Sequence, residues 1–415
     1  MESNDFPRSN SRQTANHLPY VDQLTGITGE LDLKQRSNLI QIENCLHDEW
    51  ALGKNNIIGW CPVENTLLIL VAPHYAIAEY ATTPRRDQAP ENTKVSADFI
   101  TELVSGDRRL SQPQLAKVAH LLHIEPKKIE LRQSLTEGSM EIEIIEKMIR
   151  RYSVNYVASR AVTLFDIVGF GLLSPFEQMT QLNSLSYSLN SAHAKMLELD
   201  VKINFARSTT GDGFYIWNRD EGITANVNLY HFMHLVLADN AIAKQKATTN
   251  SVPELRACFH VGSCYEFHQA EGLNPTIHNF IVGEVTIELA RMIEAAQQGQ
   301  ILVGDFMTGI LDQEVKGATA NSDIDAISFL QKAQNSLSNL DGLVLSGERV
   351  TAIKCYLTGE KLKDGNFSIR SLEITDKHGQ IRTAYNAKIN IYRDQEHPIL
   401  LGIQDKKLQL ENTEH

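Results

Sequence analysis

The sequence lacks a signal peptide, a membrane-spanning run and any cluster of cysteines. Its first residues are polar, and the most apolar stretch near them, residues 67–77, is too short for a bilayer and contains a proline. The five cysteines are scattered without the spacing of metal ligands. We therefore expect free thiols in a reducing compartment, a cytoplasmic location and no membrane partner.

An excess of positive charge is also missing. The 415 residues include 39 Lys and Arg against 51 Asp and Glu, which gives a net charge of −12. An acidic chain has no general attraction for nucleic acid, so we do not expect nucleic acid as a partner. Hydrophobic residues make up 42% of the chain and charged residues 22%, which is typical of a globular protein with a substantial core.

Composition divides the chain into five segments. Residues 1–34 are polar and rich in Ser, Asn and Gln, which predicts a disordered tail. Residues 35–135 predict a small α/β or helical regulatory region. Residues 136–159 predict a connector helix, whose narrow apolar stripe fits either a dimer-forming coiled coil or packing on its own domain. Residues 160–395 form the second predicted domain, and 396–415 a C-terminal tail.

Residues 110–131 have the pattern of two short helices joined by a turn. The segment resembles a repressor-type helix-turn-helix, with Pro126 opening the second helix, although the glycine often found in that turn is missing. A DNA-binding regulator and a plain helical hairpin are the two alternatives. We favour the hairpin, because matches to so short a motif recur by chance.

From residue 161 onward, strand and helix patterns alternate, which predicts an α+β domain. Ser174, Pro175 and Glu177 form a helix start, with serine as N-cap, proline at the first helical position and glutamate completing a capping box. That helix is predicted to run to about residue 199. The other predicted elements are strands near 201–205, 254–264 and 300–303, helices near 228–246, 283–298 and 323–338, and a hairpin of 367–375 with 383–392.

Two aspartates lie at the edges of apolar runs, each close to a glycine. Asp166 ends the apolar stretch 161–168, and Asp212 precedes Gly213 and the strand-like residues 214–217. A carboxylate on a buried strand is costly unless a cation or hydrogen bonds compensate it. If the two strands are antiparallel neighbours, the carboxylates meet. Mg²⁺ takes such a pair together with phosphate oxygens and water, so the pattern predicts a metal–nucleotide site.

Four collinear segments resemble the catalytic domain of class III nucleotidyl cyclases, the adenylate and guanylate cyclases. The resemblance covers about residues 160–304 and is divergent. It implies a ferredoxin-like fold, with a mixed, largely antiparallel sheet and helices on one face. It also implies head-to-tail dimers with a second copy or another cyclase domain. The four segments are 165–170 with 173–178 behind it, 211–214, 260–262, and 283–292 closed by 299–303.

The resemblance also implies an activity and a set of site residues. The ribose 3′-hydroxyl of a nucleoside triphosphate would attack its own α-phosphate, releasing pyrophosphate and a 3′,5′-cyclic nucleotide for intracellular signalling. We therefore expect an enzyme, a phosphorus–oxygen lyase. The implied residues are Asp166, Asp212 and the Ile167 carbonyl for two Mg²⁺ or Mn²⁺ ions, Val168, Gly169 and Phe170 for the phosphates, Arg291 for the transition state, and Lys377, Arg382 or Lys388 as further triphosphate contacts.

Three substrate-binding positions depart from the family pattern. The base-selecting lysine is replaced by Ser208, and the second base contact by Phe280, so base choice differs or is relaxed. The asparagine that orients the ribose is replaced by Ile287. Loss of an orienting group lowers the reaction rate by about a hundredfold. Two functions follow: a cyclase with altered base preference, and a degenerate domain that senses nucleotides or completes a heterodimer.

Overall fold

The computed structural model separates the chain into two compact units. Unit one comprises residues 1–155 with 267–277, and unit two comprises 156–266 with 278–415. The residues that the structure describes are 31–81, 101–135, 138–271, 274–310, 322–334, 343–359, 362–363, 368–376, 378–394 and 396–403.

Unit one combines helices with a three-stranded sheet of order β1-β2-β3. Asp32 caps the first helix by accepting the Gln35 amide at 2.8 Å, so the helix begins inside the predicted tail 1–34. The elements are α1 (Leu33–Trp50), β1 (Asn55–Val63), β2 (Thr66–Pro73), α2 (His74–Ala81), α3 (Gln112–Leu121), β3 (Lys127–Glu130) and α4 (Met140–Arg151).

The second helix predicted within residues 110–131 does not form. α3 ends at Leu121, and the next element is β3, antiparallel to β2 with Thr66 opposite Glu130. The reason is burial. As a strand, Lys127–Glu130 places the β-branched Ile129 in the core at 4% exposure, and the strand forms one edge of the sheet. Both the helix-turn-helix and the helical hairpin are therefore wrong, and the DNA-binding alternative has no recognition helix.

The apolar stripe of α4 is buried within unit one. Ile145, Met148 and Ile149 are fully buried and pack in one core with Leu39 and Trp60. The face that a coiled coil would need is therefore covered by unit one itself. Of the two alternatives that the sequence left open, α4 follows packing on its own domain.

Unit two contains an eleven-stranded sheet of order β12-β13-β15-β9-β7-β4-β6-β5, with β8, β14 and β16 on side branches. The predicted α+β class with a mixed, largely antiparallel sheet is confirmed, since β7 and β9 run parallel and the β4–β6, β5–β6 and β13–β15 pairs antiparallel. The elements are β4 (Asn155–Ile167), α5 (Pro175–Glu198), β5 (Phe205–Thr209), β6 (Gly213–Asn218), α6 (Ile223–Lys246), β7 (Leu255–Glu271), β8 (Asn274–Val282), α7 (Glu284–Ala295), β9 (Ile301–Gly304), β10 (Met307–Ile310), β11 (Ser322–Asp325), α8 (Ala326–Gln334), β12 (Leu343–Leu345), β13 (Glu348–Leu357), β14 (Ser371–Thr375), β15 (Ile381–Arg393) and β16 (Glu396–Leu401).

Helices cover both faces of the large sheet, so the expectation of helices on one face is wrong. Phe165 and Ile167 of β4 pack in a core with α5 and α6, whereas Val162 and Leu164 pack in a second core with α7. Side chains alternate along a strand, so Asp166 belongs to the face covered by α7. Among the described residues, no helix has the length and apolar content needed to cross a membrane. All five cysteines are free thiols.

Several predicted elements of unit two begin or end elsewhere. The helix predicted near 228–246 begins at Ile223, the strand predicted near 254–264 continues to Glu271, and the first hairpin strand begins at Ser371. The strand predicted near 201–205 begins only at Phe205. The helix predicted from residue 323 begins at Ala326, because Asp325 accepts the Ser328 amide at 2.7 Å and caps it. Residues 396–401 of the predicted C-terminal tail form β16, since Ile399 reaches the core at 6% exposure.

Candidate functional site

β4 and β6 bring the two predicted metal-binding aspartates to one end of the sheet. Asp166 lies opposite Gly213 in the antiparallel register, and the Ile167 amide donates to the Asp212 carbonyl at 3.0 Å. The two aspartates are therefore diagonal neighbours on adjacent strands, as the sequence predicted for this pair of strands.

The close approach of these strands depends on a glycine. A Cβ atom added at Gly213 would lie 1.9 Å from the Phe165 carbonyl oxygen, so no other residue fits without moving the backbone. Gly211, with φ of +101°, turns the chain just before it, and the Thr210 hydroxyl donates to Asp212 Oδ1 at 3.1 Å. The turn thus brings the Asp212 backbone against the end of β4.

The Asp166 carboxylate is buried and held by an arginine that the sequence analysis did not identify. Asp166 is 7% exposed, and its Oδ2 accepts Arg256 Nε at 2.9 Å and Nη2 at 2.6 Å. Burial raises the pKa of Asp166, the Arg256 contact opposes the rise, and the nearby Asp212 charge adds to it. A buried carboxylate requires a cation or hydrogen bonds, as the sequence already indicated, but the pattern around residue 256 does not show that Arg256 of β7 supplies them.

The donor set fits a metal that arrives with a polyphosphate. Arg256 occupies Asp166 Oδ2, which leaves Asp166 Oδ1, the Asp212 carboxylate and the Ile167 carbonyl as oxygen donors. Within the described ranges, no group of three or more His, Cys, Asp or Glu residues is arranged to hold a metal. Mg²⁺ is usually bound by one or two carboxylates and completed by substrate phosphates, which matches this arrangement better than an all-protein site.

The predicted phosphate loop is only partly available. The Val168 amide donates to the Glu254 carbonyl at 3.0 Å, so it cannot also donate to phosphate. Gly169, with φ of +67°, starts a short 3₁₀ turn, and the amides of Gly169 and Phe170 donate to no backbone carbonyl in the described part of the chain. Those two amides remain as phosphate donors.

The helix behind this loop begins as the sequence predicted. Ser174 is the N-cap of α5, and Pro175 is its first residue. Glu177 Oε2 accepts the Ser174 amide at 2.9 Å, while the Ser174 hydroxyl accepts the Glu177 amide at 3.4 Å. The capping box satisfies amides at the helix end, so phosphate contact falls to the loop.

Arg291 of α7 is tied to two carboxylates. Its Nη1 donates to Glu294 Oε2 at 2.9 Å, and its Nε lies 3.8 Å from Asp376 Oδ2. The Asp376 side chain is 2% exposed and also accepts Arg382 Nη1 at 2.7 Å, and Arg382 in turn donates to Glu288 at 2.8 Å. These contacts join the predicted transition-state arginine to the hairpin of β14 and β15.

We expect Asp376→Asn to weaken unit two at neutral pH but not in acid. Two turn amides and Arg382 bind this carboxylate and lower its pKa to about 2. A carboxylate with a depressed pKa stabilises the fold above its ordinary pKa of about 3.9, and this contribution is lost as the pH falls toward 2. The urea midpoints of wild type and variant should therefore differ at pH 7, draw closer as the pH falls below the ordinary pKa, and converge only below the folded-state pKa of about 2. A gap that does not change with pH would contradict this role, and the exposed Asp220→Asn is the matched control.

The remaining predicted residues lie on elements other than β4 and the turn before β6. Ser208 lies half-buried on β5 opposite Tyr215, and Phe280 lies half-buried on β8. Ile287 is 53% exposed on α7, and Lys388 is half-buried on β15. In the described residues, no hydrogen bond or ion pair joins Ser208, Ile287 or Lys388 to either aspartate. Lys377 lies outside the described residues.

Comparison with known proteins gives fold-level matches only. No protein-family model and no curated protein matches the chain. Among solved structures, the adenylyl cyclase CyaB from P. aeruginosa matches with 15% identity over 42% of this chain and 94% of its own, at a TM-score of 0.28. The guanylyl cyclase Cya2 matches with 12% identity over 59% of this chain and 96% of its own, at a TM-score of 0.30. The guanylate cyclase domain of RhGC from Catenaria anguillulae, in complex with GTP, matches with 16% identity. The match covers 41% of this chain and 96% of that domain, at a TM-score of 0.29. We infer no function and no site residue from matches with TM-scores this low.

Proposed function

We propose that unit two is a divergent nucleotidyl cyclase domain, which closes a nucleoside triphosphate to a 3′,5′-cyclic nucleotide and releases pyrophosphate. The observation that carries the proposal is the register of β4 and β6. Asp166 and Asp212 lie at adjacent strand ends, next to a loop in which the Gly169 and Phe170 amides donate to no backbone carbonyl among the described residues. This arrangement has both parts that a metal–triphosphate needs, carboxylates for the cation and N–H donors for the phosphates.

Each residue has a distinct role in this proposal. Asp166 and Asp212 would hold Mg²⁺ or Mn²⁺, which supplies positive charge to the triphosphate and to the leaving pyrophosphate. Gly169 and Phe170 donate to phosphate oxygens. Arg291 steadies the negative charge at the α-phosphate. Of its two carboxylate partners, Glu294 is 60% exposed, so releasing that ion pair costs little, whereas Asp376 keeps the arginine beside the hairpin. We further propose that a dimer, of two copies or of two different cyclase domains, completes the site.

The test is a product assay with all four common nucleotides. The full chain is incubated with ATP, GTP, CTP or UTP and Mn²⁺, and the products are identified by mass spectrometry. All four are needed because Ser208 and Phe280 stand where a cyclase carries its base-selecting groups. We expect one 3′,5′-cyclic nucleotide to predominate. The absence of product from every nucleotide, with protein shown to be folded, would refute the activity.

One observation favours a second candidate, a nucleotide-sensing domain without turnover. Arg256 already neutralises Asp166, and the exposed Ile287 offers no polar group for the ribose. Such a domain would be stabilised by Mn²⁺ with a nucleotide, by about 2.7 kcal/mol at a ligand concentration of one hundred times Kd, without forming product. Thermal unfolding with each nucleotide, run beside the product assay, separates the two candidates.

A further inference from the structure

The part of the large sheet formed by β13, β15 and β16 has one buried side and one accessible side. Ile353 and Cys355 of β13 and Ile389 and Ile391 of β15 pack in the core with α5 and α6, and each is at most 3% exposed. Side chains alternate along a strand, so the residues between them project to the opposite side. Leu400 of β16 projects to that side and is 58% exposed, so a ligand can reach it.

Lysines and tyrosines alternate on this accessible side. Tyr356 of β13 lies opposite Lys388 of β15, and Lys354 lies opposite Asn390 in the same antiparallel register. Tyr392 comes two residues after Asn390 and therefore projects to the same side. The Lys354 ammonium group lies 5.5 Å from the centroid of the Tyr392 ring, which agrees with this placement. Together with Leu400, these residues form the outer face.

The charges on the outer face are positive. Lys354 is exposed and Lys388 is half-buried, and in the described part of the chain no ion pair involves either ammonium group. Burial lowers the pKa of Lys388, because solvation of its charged form is reduced. A nearby acidic residue, Glu396 at the start of β16, lies opposite Arg393. The outer face therefore favours an anionic ligand, although the chain as a whole is acidic.

The two tyrosines distinguish among anionic ligands. Tyr356 and Tyr392 are half-buried, so part of each ring stays accessible. An aromatic ring of this kind stacks on a nucleobase, which is worth roughly fivefold to 150-fold in affinity per base. The register sets the two rings four residues apart along β15, about 13 Å, so a single base cannot contact both. An acidic peptide or a phospholipid headgroup has no base to place on these rings.

We propose that the outer face binds single-stranded nucleic acid, with two of its bases on Tyr356 and Tyr392 and phosphates on Lys354 and Lys388. Aromatic side chains on an open sheet face, with cations beside them, are a general means of holding unpaired bases. The present contact of Lys354 with the Tyr392 ring is an exposed cation–π contact and therefore weak, so the ammonium group is free to move to a phosphate.

The proposal differs from the other expectations for this chain. The net charge of −12, which gave no reason to expect a nucleic-acid partner, is a property of the whole chain and not of the outer face. Lys388 contacts a phosphate of a strand here, whereas the sequence suggested a triphosphate. β9 and β7 separate β15 from β4 in the sheet, so the proposal does not depend on the nucleotide site at Asp166.

Fluorescence anisotropy of a labelled oligothymidylate, titrated with the full chain in the absence of metal, tests the proposal. With about 20 nucleotides and about 50 mM NaCl, we expect a Kd below about 100 μM. Two phosphate contacts predict a salt slope of about −1.4, which is about sevenfold weaker binding at about 200 mM NaCl. A duplex of equal length should bind at least about fivefold more weakly, because its bases are not available for stacking.

Variants separate the contribution of the lysines from that of the tyrosines. Lys354→Gln and Lys388→Gln should each reduce the salt slope by about 0.7, because each removes one phosphate contact. Tyr392→Ala should weaken binding at least about fivefold through the loss of one stacked base. The matched controls, which should behave like the wild type, change an exposed lysine and a 65% exposed tyrosine of the same unit, Lys202→Gln and Tyr187→Ala.

The exposed position of Lys354 makes Lys354→Gln the variant that should fold normally. No binding of oligothymidylate by the wild type, duplex bound as tightly as the single strand, or an unchanged salt slope in folded Lys354→Gln would overturn this inference alone. Capture of the chain by phosphatidylserine vesicles without oligothymidylate binding would also overturn it. Asp166→Asn should bind the oligonucleotide like the wild type, and absence of nucleotide turnover with intact oligonucleotide binding would affect only the proposed cyclase activity.

Discussion

Replacing Asp166 or Asp212 with asparagine is expected to lower cyclic-nucleotide formation at least about a hundredfold, the usual loss when a group that stabilises developing charge is removed. The amide keeps the size of the side chain but removes the charge that would hold a cation between β4 and β6. Initial rates with Mn²⁺ and the preferred nucleotide measure the effect. The loss should appear in kcat and should not be recovered by adding more nucleotide.

The control for this pair is Asp220→Asn. Asp220 is exposed in the turn that follows β6, so the change has the same chemistry without touching the site. Unfolding of each variant must be measured as well. Asp166→Asn is expected to lose stability because Asp166 pairs with Arg256 in a buried position, whereas Asp212→Asn should keep the wild-type midpoint. A folded Asp212→Asn with wild-type turnover would contradict the role given to this carboxylate.

Gly213→Ala is expected to destabilise unit two by about 3 kcal/mol or more, at the upper end of what overpacking costs. The added methyl group would lie 1.9 Å from the Phe165 carbonyl oxygen, and backbone atoms on both strands would have to separate. Denaturant unfolding measures the loss, and hydrogen exchange should locate the lost protection at β4 and β6. Turnover should fall as well, because the same register positions Asp166 and Asp212.

Gly171→Ala is the matched control for Gly213→Ala. Gly171 lies in the turn after β4, where an added Cβ meets no atom within 4 Å. This variant should unfold within about 0.5 kcal/mol of the wild type, as a surface substitution normally does. Equal stability of the two alanine variants would show that the close approach of β6 to β4 is not needed.

Local signals in the sequence predicted the elements that position the site. The capping residues Ser174 and Glu177 located the start of α5, because capping depends on residues three positions apart. The apolar run before Asp166 predicted a buried strand, because a short run of apolar residues is also a local signal. On the sequence alone, Asp166 and Asp212 come together only if their strands are antiparallel neighbours, and β4 and β6 do pair in this way.

Contacts between distant residues were beyond the reach of local patterns. Arg256 is 90 residues from Asp166, and only the folded sheet sets its guanidinium on that carboxylate. β3 was taken for a helix because Lys127–Glu130 has no local preference strong enough to outweigh its pairing with β2. In the same way, the ladder with β15 makes Glu396–Leu401 a strand where composition alone indicated a tail.

Equilibrium dialysis of Mn²⁺ with inorganic triphosphate tests the central claim most directly, because it requires neither the correct base nor turnover. The account predicts that the wild-type chain retains Mn²⁺ only when triphosphate is present, and that Asp166→Asn and Asp212→Asn each weaken this retention at least about tenfold, since a direct charge contact is lost. Asp220→Asn should behave like the wild type. Wild-type protein that retains no Mn²⁺ with triphosphate, or aspartate variants that retain as much as the wild type, would contradict a metal–polyphosphate site at the ends of β4 and β6.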